Sequence, residues 1–356
     1  MTVQTNPSRR TRFRGRLGAG ALLATLLVSV SLLSACSSSS KPATAAASSP
    51  KLDTVVYQLG WKKLAQFGGH FAALKEGYFA QQGIDAKFLS GGPNIDPITM
   101  VANGQADIGD ANGSDILLAN SKGIPISTFA TIYQQTPNAL MSLESNPVTK
   151  LTDMVGKTIG LPAAEDPLLK AMLTQAGVDP SKVKMVPVGT DPSVLTSKQV
   201  DGYVGYGTEQ GLSLQQSGAK VNIKYFSEIG DPDYGNALFA KSDAITAKAD
   251  LLTRWLKADL AGWKYFTEHP EEIAQYTWDQ YHNETGAVLA DEKVSAKAAV
   301  PLITSGDAAT HGLMWISQSA FQTVDELYKT AGMITKPVDF SKLVNQSILI
   351  AAGAKR

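Results

Sequence analysis

The 356-residue chain has a single cysteine, Cys36. The remainder therefore forms no internal disulfide, and it offers no thiolate nucleophile and no cysteine metal site. Arginine is almost as scarce. Five arginines (Arg9, Arg10, Arg12, Arg14 and Arg16) precede position 35, and only Arg254 and Arg356 follow it. Taking those five from the 32 Lys and Arg leaves 27, against 32 Asp and Glu. That balance gives no electrostatic case for a nucleic-acid partner. The familiar enzyme motifs are also missing. "VGKTIG" carries Leu151 where a phosphate-binding P-loop needs its first glycine. No G-x-S-x-G elbow occurs. The four histidines, His70, His269, His282 and His311, show no H-x-x-x-H spacing for a metal. No catalytic residue, metal or cofactor is expected, and the chain does not read as an enzyme.

What is present begins with a targeting pattern. The basic stretch "SRRTRFRGR" leads into "LGAGALLATLLVSVSLL" and then "LSAC". Leu33, Ser34, Ala35 and Cys36 match a bacterial lipobox, in which the cysteine becomes the lipidated first residue of the mature protein. Residues 1–35 are thus expected to be a lipoprotein signal peptide. "SSSSKPATAAASSP" completes a Ser/Ala-rich tether over 36–50. The protein is expected at the cell membrane, lipid-anchored through Cys36 on the extracytoplasmic face.

The body has 44% hydrophobic and 18% charged residues in the whole-chain count, enough for a sizeable core. From Asp53 strand-like and helix-like segments alternate: "TVVYQLG", "FAALKEGYFAQQG", "AKFLS", a helix capped by Asn94, "ADIGD", "SDILLANSKG" and "IPISTFATI". After about Pro147 the alternation begins again. This is the pattern of α/β units around largely parallel sheets. The two halves echo each other, with Gln105-Ala-Asp107 over Gln199-Val-Asp201 and "LSGGPN" over "VGTDPS". From Ala247 the chain becomes long, amphipathic helix.

In open α/β sheets ligands bind beyond the carboxyl ends of strands. Four such ends are distinctive: Gly60-Trp61, Gly91 to Asn94, Asp110 to Ser114, and Tyr203 to Tyr206. They combine aromatic rings, amides and hydroxyls, which suits a planar polar ligand. The candidate ligand-binding residues are Trp61, Gln66, His70, Gly92, Asn94, Asp110, Asn112, Ser114, Tyr133, Gln134, Tyr203, Tyr206 and Tyr234.

"GYFAQQGIDAKFLSGGPNIDPITMVANGQADIGD", with "KGIPI" and "GKTIGLP" after it, resembles the substrate-binding proteins of bacterial ABC importers. The similar branch includes binders of thiamine pyrimidine precursors, riboflavin, nitrate, taurine and alkanesulfonates. The resemblance implies a type II periplasmic-binding-protein-like α/β fold with two lobes and a cleft between them. Lobe 1 would hold 51–143 plus 240–356 and lobe 2 would hold 144–239, with crossovers near Ser142–Pro147 and Asn236–Ala240. It also implies a monomer that delivers its ligand to a membrane permease and ATPase. Trp61 takes the place of that branch's stacking tryptophan. The ligand class implied is a small planar aromatic heterocycle, a thiamine pyrimidine precursor or riboflavin-like. The alternative is a small oxyanion such as nitrate, a sulfonate or taurine, held by Lys62, Lys63, His70 or a helix N-terminus. A remoter alternative is an enzyme like the eukaryotic thiamine-pyrimidine synthases, whose cysteine-rich motif is absent here.

Overall fold

A computed structural model describes residues 51–162, 166–231 and 233–354. The expected signal segment, Cys36 and the tether lie outside the described residues. Among those residues no helix is long and apolar enough to cross a membrane.

Among the described residues, ten strands form two five-stranded sheets. The strands are β1 (Asp53–Gln58), β2 (Ile84–Leu89), β3 (Ile108–Ala111), β4 (Ile126–Tyr133), β5 (Asn138–Leu143), β6 (Thr158–Leu161), β7 (Lys184–Pro187), β8 (Gly202–Tyr206), β9 (Val221–Tyr225) and β10 (Gly235–Lys241). The first sheet runs β2-β1-β3-β10-β4 and the second β7-β6-β8-β5-β9. In the first, β1 is parallel to β2 and β3, and β10 is antiparallel to β3 and β4. In the second, β6 is parallel to β7 and β8, and β5 is antiparallel to β8 and β9. The two orders superimpose strand for strand, with β5 standing in one sheet where β10 stands in the other.

This pairing moves the crossings between sheets. Ser142 lies inside β5, and Asn236 to Ala240 lie inside β10, so neither expected crossover is where the chain changes sheet. The chain passes across between Tyr133 and Asn138, and returns between Tyr225 and Gly235. The physical reason is the central antiparallel strand. Each sheet takes into its interior the strand adjoining a crossing, and that strand reads as a link because no α-helix separates it from the strand before it.

The sequence echo between the halves has a hydrogen-bonding counterpart. Asp107 donates its N–H to the Val56 carbonyl and accepts the Val56 N–H on Oδ2 at 3.0 Å. Asp201 makes the same exchange with Thr158, accepting its N–H on Oδ2 at 2.9 Å. Each aspartate thereby fixes the start of the parallel pairing in its own sheet. Asp96 and Asp191 are also matched: each accepts the N–H two residues on, across an Asp-Pro step that opens a helical turn. Asp96, and not Asn94, caps the helix Pro97–Ala102.

The first sheet has the larger core. The helix Ala249–Glu268 lies against the helix Gly68–Lys75 through glycines: a methyl group at Gly262 would stand 2.2 Å from the Gly69 carbonyl oxygen. Beneath that contact sit Tyr57, Phe71, Phe79, Trp255 and Trp263, all buried.

The matched aspartates can be tested at Asp201, which also holds Asn146 at 2.8 Å and Lys157 at 3.8 Å. Its carboxyl is held below the ordinary value of 3.8, first by the Thr158 N–H. Asp201→Ala should cost about 1–3 kcal/mol in urea unfolding. A depressed acid stabilises the fold above its unfolded value and loses that contribution as pH falls. The difference between wild type and variant should therefore close below about pH 4.

Candidate functional site

The carboxyl ends of β1, β3, β6, β7 and β8 converge on one cavity of about 280 Å³. The sheets supply different chemistry. From the first come Gly60 and Trp61 after β1, Gln66, and Asp110, Ala111 and Asn112 at the end of β3. From the second come Tyr203, Gly205 and Tyr206 on β8, then Glu209 and Gln210. The last two stand on a π-helical turn, Gly207–Gly211, where the wider winding turns side chains into the cavity. Asn138 and Asn236, at the starts of β5 and β10, close the wall at the two crossings.

Asp110 organises the first side. Its Oδ1 accepts the Gly60 N–H at 2.9 Å and its Oδ2 accepts the Asn236 amide at 2.6 Å. The Asn236 side-chain oxygen then accepts the Tyr206 hydroxyl at 3.1 Å. A polar chain thus runs from the Trp61 loop to β8 in the other sheet. Asn236 has φ +51°, a left-handed conformation that asparagine tolerates better than most residues. Gly60 has no alternative side chain: a Cβ there would lie 2.7 Å from Asp110 Oδ2. On β8 the Tyr203 hydroxyl donates to the Gly189 carbonyl, and the Tyr206 N–H donates to Gln210 Oε1.

Three carboxyl groups line the cavity, and burial raises all of them. Asp110 is pushed up to about 6, with the Gly60 N–H pulling the other way. Asp115 is pushed up to about 6, with Asp166 adding to the effect. Glu209 is pushed up to about 8, with the nearby Glu292 adding to it. Among the lining residues there is no lysine, arginine or histidine. Gln66 Oε1 and Glu209 Oε1 are buried acceptors with no partner among the described residues. The arrangement can stack a planar ring and accept hydrogen bonds from it.

Six of the thirteen candidates meet at this cavity: Trp61, Gln66, Asp110, Asn112, Tyr203 and Tyr206. The other seven lie elsewhere. His70 is wholly buried in the first core, with Nδ1 2.6 Å from Asp259 Oδ1 and its ring among Tyr57, Phe88, Trp255 and Trp263. It faces the sheet from its helix and cannot reach an anion in the cavity. Gly92 and Asn94 belong to a loop that closes on itself, the Ile95 N–H bonding the Gly92 carbonyl. Its Gly91 N–H donates to the Trp61 carbonyl at 2.8 Å, and a Cβ at Gly91 would stand 2.3 Å from the Leu59 carbonyl oxygen. The glycine pair supports the Trp61 loop from behind. Ser114 gives its N–H to the Asp233 carboxylate. The Tyr234 hydroxyl meets Asp307 and Ser317, and the Gln134 amide donates to the Trp315 carbonyl. These three tie the crossings to neighbouring helices. Tyr133 is buried, its hydroxyl 3.4 Å from the Gln66 carbonyl oxygen. Glu209 and Asn236 carry no motif in the sequence. Only the tertiary structure turns a solvated-looking acid and a linker asparagine into cavity walls.

Comparison with known proteins agrees with this architecture. Residues 65–273, more than half of the chain, match the family described as NMT1/THI5 like. A formylaminopyrimidine-binding protein of Halalkalibacterium halodurans is 28% identical over 69% of this chain and 75% of its own. The riboflavin-binding protein RibY of Chloroflexus aurantiacus is 23% identical over 86% of this chain and 92% of its own. A 4-amino-5-hydroxymethyl-2-methylpyrimidine phosphate synthase of Legionella pneumophila is 23% identical over 55% and 64%. Among solved structures, the ligand-binding component of an ABC-type import system from Staphylococcus aureus superposes with TM-score 0.62 at 15% identity, covering 84% of this chain and 99% of that one. The alkanesulfonate-binding protein SsuA of Xanthomonas axonopodis pv. citri gives 0.60 at 13%, covering 84% and 99%. At those identities the likeness is of fold: the chain has the periplasmic-binding-protein fold.

Glu209 offers a test of the cavity's electrostatics. The folded protein holds this proton up to about pH 8, whereas the unfolded chain releases it near the ordinary value of 4.5. Stability therefore falls as pH rises across that window. Glu209→Gln, which removes the titration, should match wild type in calorimetric melts at pH 4. Its melting temperature should move above that of wild type as pH rises, and the gain should level off above about pH 8.

Proposed function

The chain belongs to the NMT1/THI5-like family, and on that premise we propose that it is the extracytoplasmic substrate-binding component of an ABC importer. It captures a small planar nitrogen heterocycle of the thiamine-pyrimidine-precursor or riboflavin kind and hands it to a membrane permease and its ATPase. The observation that carries this reading is the composition of the cavity. Trp61, Tyr203 and Tyr206 supply ring faces, and Asp110, Asp115, Glu209 and Gln66 supply acceptors for amino and ring N–H groups. The relatives that bind formylaminopyrimidine and riboflavin handle such rings.

An oxyanion would meet the opposite chemistry. Its oxygens need N–H donors or cations, and three carboxyl groups face the cavity with no cationic side chain among the lining residues. Of the cations considered for an anion, His70 is sealed in the core. Binding without turnover is supported by the two relatives that align over the larger shares of both chains, each named as a binding protein. The lipid anchor at Cys36 belongs to this proposal, because it would keep a diffusing binding subunit near its permease.

Two measurements test it. The purified protein is unfolded and any released small molecule identified, and Trp61→Ala is then titrated with that molecule beside wild type. Stacking of one ring on an aromatic face is worth roughly 1–3 kcal/mol, so affinity should fall by about 5- to 150-fold. The thermal melt should change little, because Trp61 is only partly buried. Unchanged affinity with a lowered melting temperature would refute the stacking role. Separately, Cys36→Ser should lose metabolic lipid labelling and detergent-phase partitioning, while equal labelling of both forms would remove the anchor from the proposal.

A further inference from the structure

The cavity does not end at Trp61. A second chamber, also about 280 Å³, adjoins it and shares four wall residues, Trp61, Thr190, Glu209 and Gln210. The shared residues are a threshold, with aromatic chemistry on one side and a different chemistry on the other. The outer chamber lies between the helix Leu212–Gln216, which follows β8 of the second sheet, and the junction of the helices Pro270–Thr285 and Leu289–Thr304 on the first-sheet side. Both halves of the molecule therefore build it, as they build the inner cavity.

Beyond the threshold its polar lining includes Lys62, Ser213, Gln216, Asp291, Glu292 and Ser295. Hydroxyls and a carboxamide there both donate and accept. Glu292 is fixed in place, its Oε2 accepting the Ala65 N–H at 2.6 Å, just ahead of Gln66 in the inner wall. The charge balance is close to neutral: Lys62 stands against Asp291, while burial pushes Glu292 up to about 7 and the threshold Glu209 up to about 8. A hydroxyl-rich neutral chain finds partners on such walls. A phosphorylated chain would bring about two negative charges to walls whose single ammonium already stands against Asp291.

From these adjoining chambers we infer that the ligand is a planar heterocycle carrying a neutral, hydroxyl-rich tail, with the ring stacked at Trp61 and the tail in the outer chamber. This inference rests on the reading of the inner cavity as a ring-binding site and narrows its substrate class. It also makes Ser213 and Gln216 determinants of specificity, although neither touches the ring.

The experiment is a tryptophan-fluorescence titration of the full-length chain in detergent with formylaminopyrimidine and three flavins. Riboflavin has ring and neutral tail, lumiflavin has the ring alone, and flavin mononucleotide has ring and phosphorylated tail. A few hydrogen bonds to the tail should make riboflavin bind at least about tenfold more tightly than lumiflavin, equivalent to about 1.4 kcal/mol. The mononucleotide should be weaker than riboflavin by a similar factor. Ser213→Trp, which fills the outer chamber, should remove riboflavin's advantage and leave lumiflavin affinity unchanged. Gln216→Trp, at a more exposed position on the same wall, serves if the first variant does not fold. Equal affinity for riboflavin and lumiflavin would overturn the tail and leave the ring site standing. So would binding of formylaminopyrimidine with no binding of either flavin. If none of the four compounds binds, the ring-binding reading itself fails, and the inference with it.

Discussion

The geometry of the cavity depends on one buried carboxylate, that of Asp110. Burial penalises its charge, and the Gly60 N–H and the Asn236 amide offset the penalty. Each of those bonds has a structural consequence. The first fixes the backbone immediately before Trp61 and leaves no space for a side chain at position 60. The second orients Asn236 so that its oxygen faces Tyr206, on the other sheet. One acid thus positions an aromatic residue on each side of the cavity, and does so through neighbours that are themselves backbone or neutral amide.

The doubled topology explains why the two sides differ. The matched exchanges of Asp107 with Val56 and of Asp201 with Thr158 set the correspondence between β3 and β8. Counting on from them, Asp110 falls opposite Val204, and Asn112 opposite Tyr206. The scaffolding positions keep their aspartates in both halves, while the positions beyond them diverge. At these matched positions the first half carries Asp110 and Asn112, and the second carries Val204 and Tyr206. A cavity built by two copies of one pattern acquires two unlike walls this way, with no change in the sheets that support them.

This division also explains what could be read from the sequence. The α/β alternation, the repeated half and the ends of β1, β3 and β8 were visible, because strand periodicity and short polar loops are local signals. Trp61, Asp110, Asn112, Tyr203 and Tyr206 sit on those ends and reach the cavity. β5 and β10 were not visible as sheet interiors, because an antiparallel central strand is specified by partners far away in sequence. The same limit governed single residues. His70 looked like a polar group in a helix near the site, yet its ring belongs to an aromatic nest completed by Trp255 and Trp263, nearly two hundred residues on. The glycines at 91 and 92 looked like a ligand loop, but Gly91 is required by the close approach of its own backbone to Leu59. Glu209 was missed for the converse reason. Nothing local separates an acid on a surface turn from one that a π-helical turn rotates inward.

The electrostatics of the cavity then bear on how a ligand would be held. Two buried acceptors, Gln66 Oε1 and Glu209 Oε1, lack partners among the described residues. A ring that brings N–H groups to both would give each acceptor a hydrogen bond worth about 0.5–1.5 kcal/mol. The acids reinforce that preference. With its carboxyl raised to about 8, Glu209 is mostly protonated at neutral pH. It can accept an N–H on one oxygen and donate its proton to a ring nitrogen from the other. An amino group beside a ring nitrogen presents that same pair of functions on one edge. Selectivity for such an edge requires no cation and no charge on the ligand. It requires a carboxyl group kept neutral by burial, at a distance from bulk water that the two approaching sheets maintain.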